Sequence, residues 1–74
     1  MDIDVATEKF LKKLGARLKE IRLEKKWTLE ETEEHGWSSW RHLQKIESGK
    51  NITVSTLYKL SLVYKVPIKE ILNY

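Results

Sequence analysis

Gly36-Trp-Ser-Ser-Trp-Arg-His-Leu-Gln-Lys-Ile-Glu-Ser-Gly-Lys50 reads as a turn, a capped short helix and a glycine stop. Ser38 and Ser39 can each accept a hydrogen bond from the free backbone N–H groups at a helix start. Leu43 and Ile46, three apart, give the helix an inward face. Trp40, Arg41, Gln44 and Lys45 are left to point elsewhere. Gly49 stands where a helix needs a left-handed residue to stop. A short helix with a narrow apolar seam and a hydrogen-bonding outer face fits a groove such as the major groove of duplex DNA.

Outward from this segment the chain is helical throughout. Phe10, Leu14, Leu18 and Ile21 recur at spacings of four and three, with Leu11 alongside, and predict a first helix from about Val5 to Lys26. Asp4 or Thr7 is its expected cap. Gly15 inside that helix costs about 1 kcal/mol relative to alanine, which points to a close backbone approach there. Thr28-Leu-Glu-Glu31 is a capping box, in which the threonine hydroxyl and the glutamate satisfy each other's backbone N–H. It opens a short second helix, ending near His35 or Gly36, with only Leu29 and Thr32 to turn inward and Trp27 packed before the cap. Thr53 is a cap for a fourth helix with Leu57, Leu60 and Tyr64 in its seam and Val63 beside them. Lys65-Val66 turns the chain, and Pro67, tolerated at a first helical position, opens a last short helix holding Ile68, Ile71 and Leu72. No segment alternates with the period of two that a strand requires. The expected architecture is a compact all-α domain of five short helices, residues 1–74, with residues 1–8 a disordered or helical extension.

The bulk properties narrow the class. A 74-residue chain makes one domain with a thin core, so self-association is a common supplement. There is no cysteine, hence no disulfide and no cysteine-ligated metal. Apolar runs are too short to span a membrane, and Met1-Asp-Ile-Asp-Val5 is acidic, unlike a signal peptide. The expected compartment is the cytoplasm. The net charge is +3, and four of the 11 acids, Glu30, Glu31, Glu33 and Glu34, fall in one run. The bases cluster between Lys9 and Lys26 and recur at Arg41, Lys45 and Lys50. That distribution suits a polyanion, or simply a solvated helix surface.

Taken in order, Leu14-Gly-Ala-Arg-Leu-Lys-Glu-Ile-Arg22, Trp27-Thr-Leu-Glu-Glu31, Ile46-Glu-Ser-Gly-Lys50 and Thr53-Val-Ser-Thr-Leu-Tyr-Lys-Leu60, followed by Val66, resemble the lambda-repressor-like, or XRE, helix-turn-helix family. The match covers about Leu14 to Leu72, with the helix-turn-helix at about residues 28–48. The small size is similar to controller proteins of restriction–modification systems and small phage repressors, which act as homodimers on paired half-sites. The resemblance implies a sequence-specific transcriptional regulator that places its third helix in the major groove of double-stranded DNA. It implies base-facing roles for Trp40, Arg41, Gln44 and Lys45, and phosphate contacts for Ser38, Ser39, Lys50 and Asn51. It implies that Arg22 and Glu47 form the ion pair tying the first helix to the third. Two departures stand out. Leu29 occupies the position where the family usually grips a phosphate with glutamine. Thr32 and Glu33 replace a leucine and an alanine, and Trp37 falls where the turn glycine belongs, one residue after Gly36.

The residues leave alternatives beside these roles. Trp40 can stack on a thymine methyl or pack between helices with its N–H outward. Gln44 can pair with adenine or with its own domain. His35 and His42 lack a third ligand and read as surface or backbone-directed side chains rather than a metal pair. The serines are better explained as caps than as nucleophiles, and no catalytic constellation, cofactor motif or small-molecule site is apparent. Ile52, Leu62, Ile68, Leu72 and Tyr74 are apolar positions left for a two-fold contact, although Ile52 and Ile68 can instead complete the core. The acidic second helix opposes tight DNA binding. It keeps open a protein-interaction module on the same fold, or the DNA-binding part of an antitoxin.

Overall fold

Asp2 fixes where the first helix begins. Its backbone is extended, and its carboxylate accepts from the N–H groups of Asp4 (3.0 Å) and Val5 (3.2 Å). The computed structural model describes all 74 residues, and in it α1 runs Ile3–Glu24. The helix thus starts before either expected cap: Thr7, already inside it, donates its hydroxyl to Ile3 O at 2.7 Å. A 3₁₀ helix follows at Glu30–His35, then α2 at Trp40–Glu47, α3 at Val54–Tyr64 and α4 at Ile68–Ile71. There are five helical segments and no strand, the all-α architecture expected from the sequence.

All four turns between these segments are closed the same way. After α1, Lys26 N–H donates to Leu23 O and Trp27 N–H to Arg22 O; after the 3₁₀ helix, Gly36 donates to Glu33 O and Trp37 to Thr32 O. After α2, Gly49 donates to Ile46 O and Lys50 to Lys45 O; after α3, Lys65 donates to Leu62 O and Val66 to Ser61 O. This paired bonding needs a left-handed residue at each stop. Glycine supplies it at Gly36 and Gly49, both with φ of 102°, and lysine at Lys26 (62°) and Lys65 (57°).

The core consists of ten apolar side chains: Leu14, Leu18 and Ile21 of α1, Trp37 of the turn, Leu43 and Ile46 of α2, Leu57, Leu60 and Tyr64 of α3, and Ile71 of α4. Helix α1 packs chiefly on α2, and α4 closes the body against α1 and α3. The seam of α1 enters the core only from Leu14 onward. Phe10 is half exposed (51 %) and Leu11 only partly covered, contrary to the expectation that both line the core, because the body ends at Leu14 and the first turns of α1 project past it. Gly15 makes the close approach that its presence in a helix implies. A Cβ there would stand 2.5 Å from Ile46 O and 2.7 Å from Glu47 O, both backbone atoms.

Candidate nucleic-acid interface

Two apolar anchors orient α2. Leu43 and Ile46 are fully buried, which turns Arg41, Gln44 and Lys45 outward, all exposed. Trp40 is partly buried at the first position of the helix. The Arg41 guanidinium lies over its ring, 5.3 Å from the centroid, a cation–π stack that holds the arginine near the helix start. Lys50 and Asn51 are exposed in the loop after Gly49, where the Asn51 Oδ1 accepts from Ile52 N–H at 2.9 Å. Lys12 of α1 lies over the same loop, close enough that a Cβ on Gly49 would sit 2.9 Å from its Cγ.

The start of α2 is capped by two residues. Ser39 has an extended backbone and its Oγ accepts from His42 N–H at 3.4 Å. The shorter bond comes from Glu33, whose carboxylate accepts from Trp40 N–H at 2.7 Å. Ser38 is exposed and makes no capping bond; Glu33 takes the second capping role expected of it. Glu33 carries no signal for this in the sequence, since it lies seven residues from the N–H it caps, outside any local capping motif. The cap is charge-assisted and also complements the positive end of the helix dipole.

The short second helix expected before the turn is present, as a 3₁₀ helix ending at His35. Three residues per turn make positions i and i+3 eclipse, so Glu30 shares a face with Glu33, and Glu31 with Glu34. Glu31 reaches back to Thr28 N–H at 3.1 Å while Thr28 Oγ1 accepts from Glu31 N–H at 3.1 Å, the capping box read from the sequence. Two of the four glutamates therefore serve backbone N–H groups. Thr32, fully buried, donates its hydroxyl to Leu29 O, so its polar group is satisfied inside the fold.

Trp37 and Gly36 divide the work of one turn residue. Gly36 takes the left-handed conformation. Trp37, 5 % exposed, turns into the core and donates its indole N–H to Ser39 O at 2.7 Å, pinning the residue that begins α2. His42 stacks near this ring (5.8 Å). His35 stacks on Trp27 at 3.7 Å, and Lys25 Nζ lies 5.5 Å from the same ring. Neither histidine belongs to a cluster of three or more metal-ligating side chains.

Arg22 and Glu47 lock α1 to the end of α2. Arg22 Nε donates to Glu47 Oε2 at 2.8 Å and a terminal nitrogen to Glu47 Oε1 at 3.0 Å, a two-point fork between side chains only 7 % and 6 % exposed. The other terminal nitrogen donates to Trp27 O at 2.8 Å. The hydrogen bond to Glu47 raises the arginine's pKa, against the opposing effect of burial. Tyr64 stands near the pair without a hydrogen-bond partner for its hydroxyl, and burial pushes its pKa well above the usual 10.0.

Of the five apolar residues considered for a two-fold contact, Ile52 and Ile68 pack against the core of their own chain. Leu62 (59 %), Leu72 (39 %) and Tyr74 (50 %) are exposed, as is Tyr58 (55 %), which the sequence did not single out. Tyr58 and Leu62 lie one turn apart on α3. No helix is long and apolar enough to cross a membrane.

A capped short helix, seated by two buried anchors behind a tight turn and carrying an exposed polar face, defines a helix-turn-helix DNA-binding domain. The family model for helix-turn-helix proteins matches residues 18–71. The chain belongs to that family, of Cro/C1 or XRE type, whose members are DNA-binding regulators. Comparison with curated proteins and with solved structures finds no match.

Proposed function

We propose that this protein is a sequence-specific transcriptional regulator that binds operator half-sites as a homodimer, with α2 in the major groove. The observation that carries the reading is the outer face of α2. Arg41, Gln44 and Lys45 stand exposed on a helix whose depth and rotation are set by Leu43 and Ile46. Arg41 supplies a guanidinium fork matched to guanine O6 and N7, and Gln44 an amide matched to adenine. Trp40 adds an apolar edge beside Arg41. Ser39, Ser38, Lys50 and Asn51 flank that face and hold phosphates, which fixes the register of the helix on the duplex. The exposed side chains of Leu62, Leu72 and Tyr74 pair two copies, so that two recognition helices meet successive half-sites.

Selection from a random duplex pool, followed by titration of the selected site, tests this directly. A dimer yields a palindromic or spaced repeat. Arg41→Ala lowers affinity for the selected site by about 1–3 kcal/mol while leaving low-salt binding to random duplexes largely intact. An unchanged affinity removes Arg41 from the reading face. The remaining Glu30 and Glu34 charges favour a second reading, a protein-interaction module on this fold. Failure of the unaltered protein to bind any duplex at low salt would support that reading instead.

A further inference from the structure

The chain has three arginines, and two of them are engaged inside it. Arg17 pairs with Glu20 at 2.6 Å and Arg22 with Glu47 at 2.8 Å. Arg41 makes no ion pair or hydrogen bond, although the Glu33 carboxylate is bonded to the N–H of the residue beside it. Its guanidinium lies instead over the Trp40 ring, 5.3 Å from the centroid. Such a contact occupies a face of the planar guanidinium and leaves its N–H donors, which lie in the plane, free for an outside acceptor.

The backbone that carries this ring is fixed on both sides. Trp37 donates its indole N–H to Ser39 O at 2.7 Å, and Glu33 accepts from Trp40 N–H at 2.7 Å. Leu43 and Ile46, fully buried, seat the turns that follow. Trp40 itself is partly buried, whereas Arg41 is exposed. At 100° per residue, Arg41 falls opposite the Leu43–Ile46 seam and Trp40 falls on the flank. The ring is therefore turned aside from the direction in which Arg41 points. The first residues of a recognition helix are those that reach base edges, and Arg41 is the second residue of α2. A free arginine samples many rotamers, and ordering it on contact opposes binding. A fixed ring that holds the guanidinium beforehand reduces that cost.

We propose that Trp40 is a positioning residue that touches no base and acts through Arg41, holding its guanidinium with the donor edge free for one guanine. The proposal rests on the reading of α2 as the groove helix. It adds that the specificity of one base pair depends on two side chains, of which only Arg41 contacts it.

The test uses the duplex selected from a random pool, and the same duplex carrying 7-deazaguanine at the guanine whose preference is lost in Arg41→Ala. That base pairs normally but lacks the N7 acceptor, so the full-length wild type binds it about tenfold more weakly. Trp40→Leu binds the natural duplex about two- to five-fold more weakly, the worth of an exposed cation–π contact. Trp40→Tyr, which keeps a ring, retains most of the affinity. On the 7-deazaguanine duplex the loss from Trp40→Leu shrinks, and in an Arg41→Ala background it disappears. In the free protein, the indole shifts the δ-methylene protons of Arg41 upfield in NMR spectra, and Trp40→Leu abolishes the shift. Unshifted protons in the wild type would overturn the proposal independently of DNA. So would an equal loss from Trp40→Leu with and without Arg41, which would leave the groove reading intact. An Arg41→Ala variant of unchanged affinity would instead remove Arg41 from the groove reading, and the proposal with it.

Discussion

Removing Glu47 tests whether the fork to Arg22 governs this domain's stability. Glu47→Ala leaves a guanidinium that is 7 % exposed with one remaining bond, to Trp27 O. Breaking a buried pair by deleting one partner costs about 3–5 kcal/mol, since the survivor stays charged and desolvated. Two charge-assisted hydrogen bonds are lost together, which places the expected cost in that range. At about 0.05–0.15 kcal/mol per residue, a 74-residue domain holds about 4–11 kcal/mol in total. Glu47→Ala therefore takes the protein close to its unfolding threshold at 25 °C. Replacing both partners with apolar residues, Arg22→Met with Glu47→Leu, leaves no orphaned charge and recovers most of the loss. Urea titrations of the wild type, both singles and the double, followed by circular dichroism and tryptophan emission, close the cycle. A loss below about 1 kcal/mol for Glu47→Ala, or a double variant that merely sums the singles, would show the pair to be incidental.

Four other perturbations have outcomes set by the same packing. Gly15→Ala, stabilising by about 1 kcal/mol in an ordinary helix interior, lowers the thermal midpoint here, because the new Cβ meets backbone oxygens of Ile46 and Glu47 that cannot swing aside. Lys26→Gly and Lys65→Gly each raise stability by about 1 kcal/mol in denaturant titration, since both lysines sit at positive φ. Tyr64 has a raised pKa through burial, so the unfolded chain loses its phenolic proton first; stability is full below pH 10.0 and falls above it, by up to about 1.4 kcal/mol per pH unit. Tyr64→Phe flattens that alkaline decline in pH-dependent melts and removes an unpartnered hydroxyl. Glu33→Ala costs about 1 kcal/mol as a lost helix cap. Glu33→Gln keeps an acceptor near Trp40 N–H while removing a negative charge, so it raises affinity for random duplex at low salt; an unchanged affinity would place that carboxylate away from the phosphates.

The parts of the fold legible in the sequence are those with a local cause. The capping box at Thr28 and Glu31, the Thr53 cap, the Gly49 stop and the Leu43–Ile46 seam each act within four residues, where spacing alone identifies them. Gly15 was legible for a different reason: a glycine that weakens a helix needs something close by to justify it. The misreadings have the opposite character. Phe10 continues the α1 seam faultlessly, and periodicity carries no information about where the body stops covering it. Helices stopped by Lys26 and Lys65 lack the usual glycine signature, so periodicity alone extends α1 two residues past its end at Glu24. The expected start of α1 was late because Asp2, at the edge of the chain, competes with Asp4 on equal terms until the backbone is seen.

Of the candidate site, the outer face of α2 was legible because burial of Leu43 and Ile46 fixes the rest of an eight-residue helix by geometry. The approach to it was not. The acidic run reads as four like charges set against a polyanion, yet Glu31 and Glu33 spend their carboxylates on backbone N–H groups. Glu33 in particular neutralises part of the positive end of α2, the feature that would otherwise draw a phosphate to Trp40 N–H. Meanwhile Trp37, standing where a turn glycine was expected, lets Gly36 take the strained conformation and uses its own indole to hold Ser39. The departures from the family pattern are thus coupled: moving the glycine one residue earlier frees a position for a buried tryptophan, and the turn built around it brings the 3₁₀ helix close enough for Glu33 to cap the next one. The four are joined through the backbone, Gly36 N–H to Glu33 O and Trp37 N–H to Thr32 O, while the side chains of Thr32, Glu33 and Trp37 turn outward from the set to Leu29 O, Trp40 N–H and Ser39 O. Thr32, Glu33, Gly36 and Trp37 therefore make one alternative turn rather than four separate exceptions.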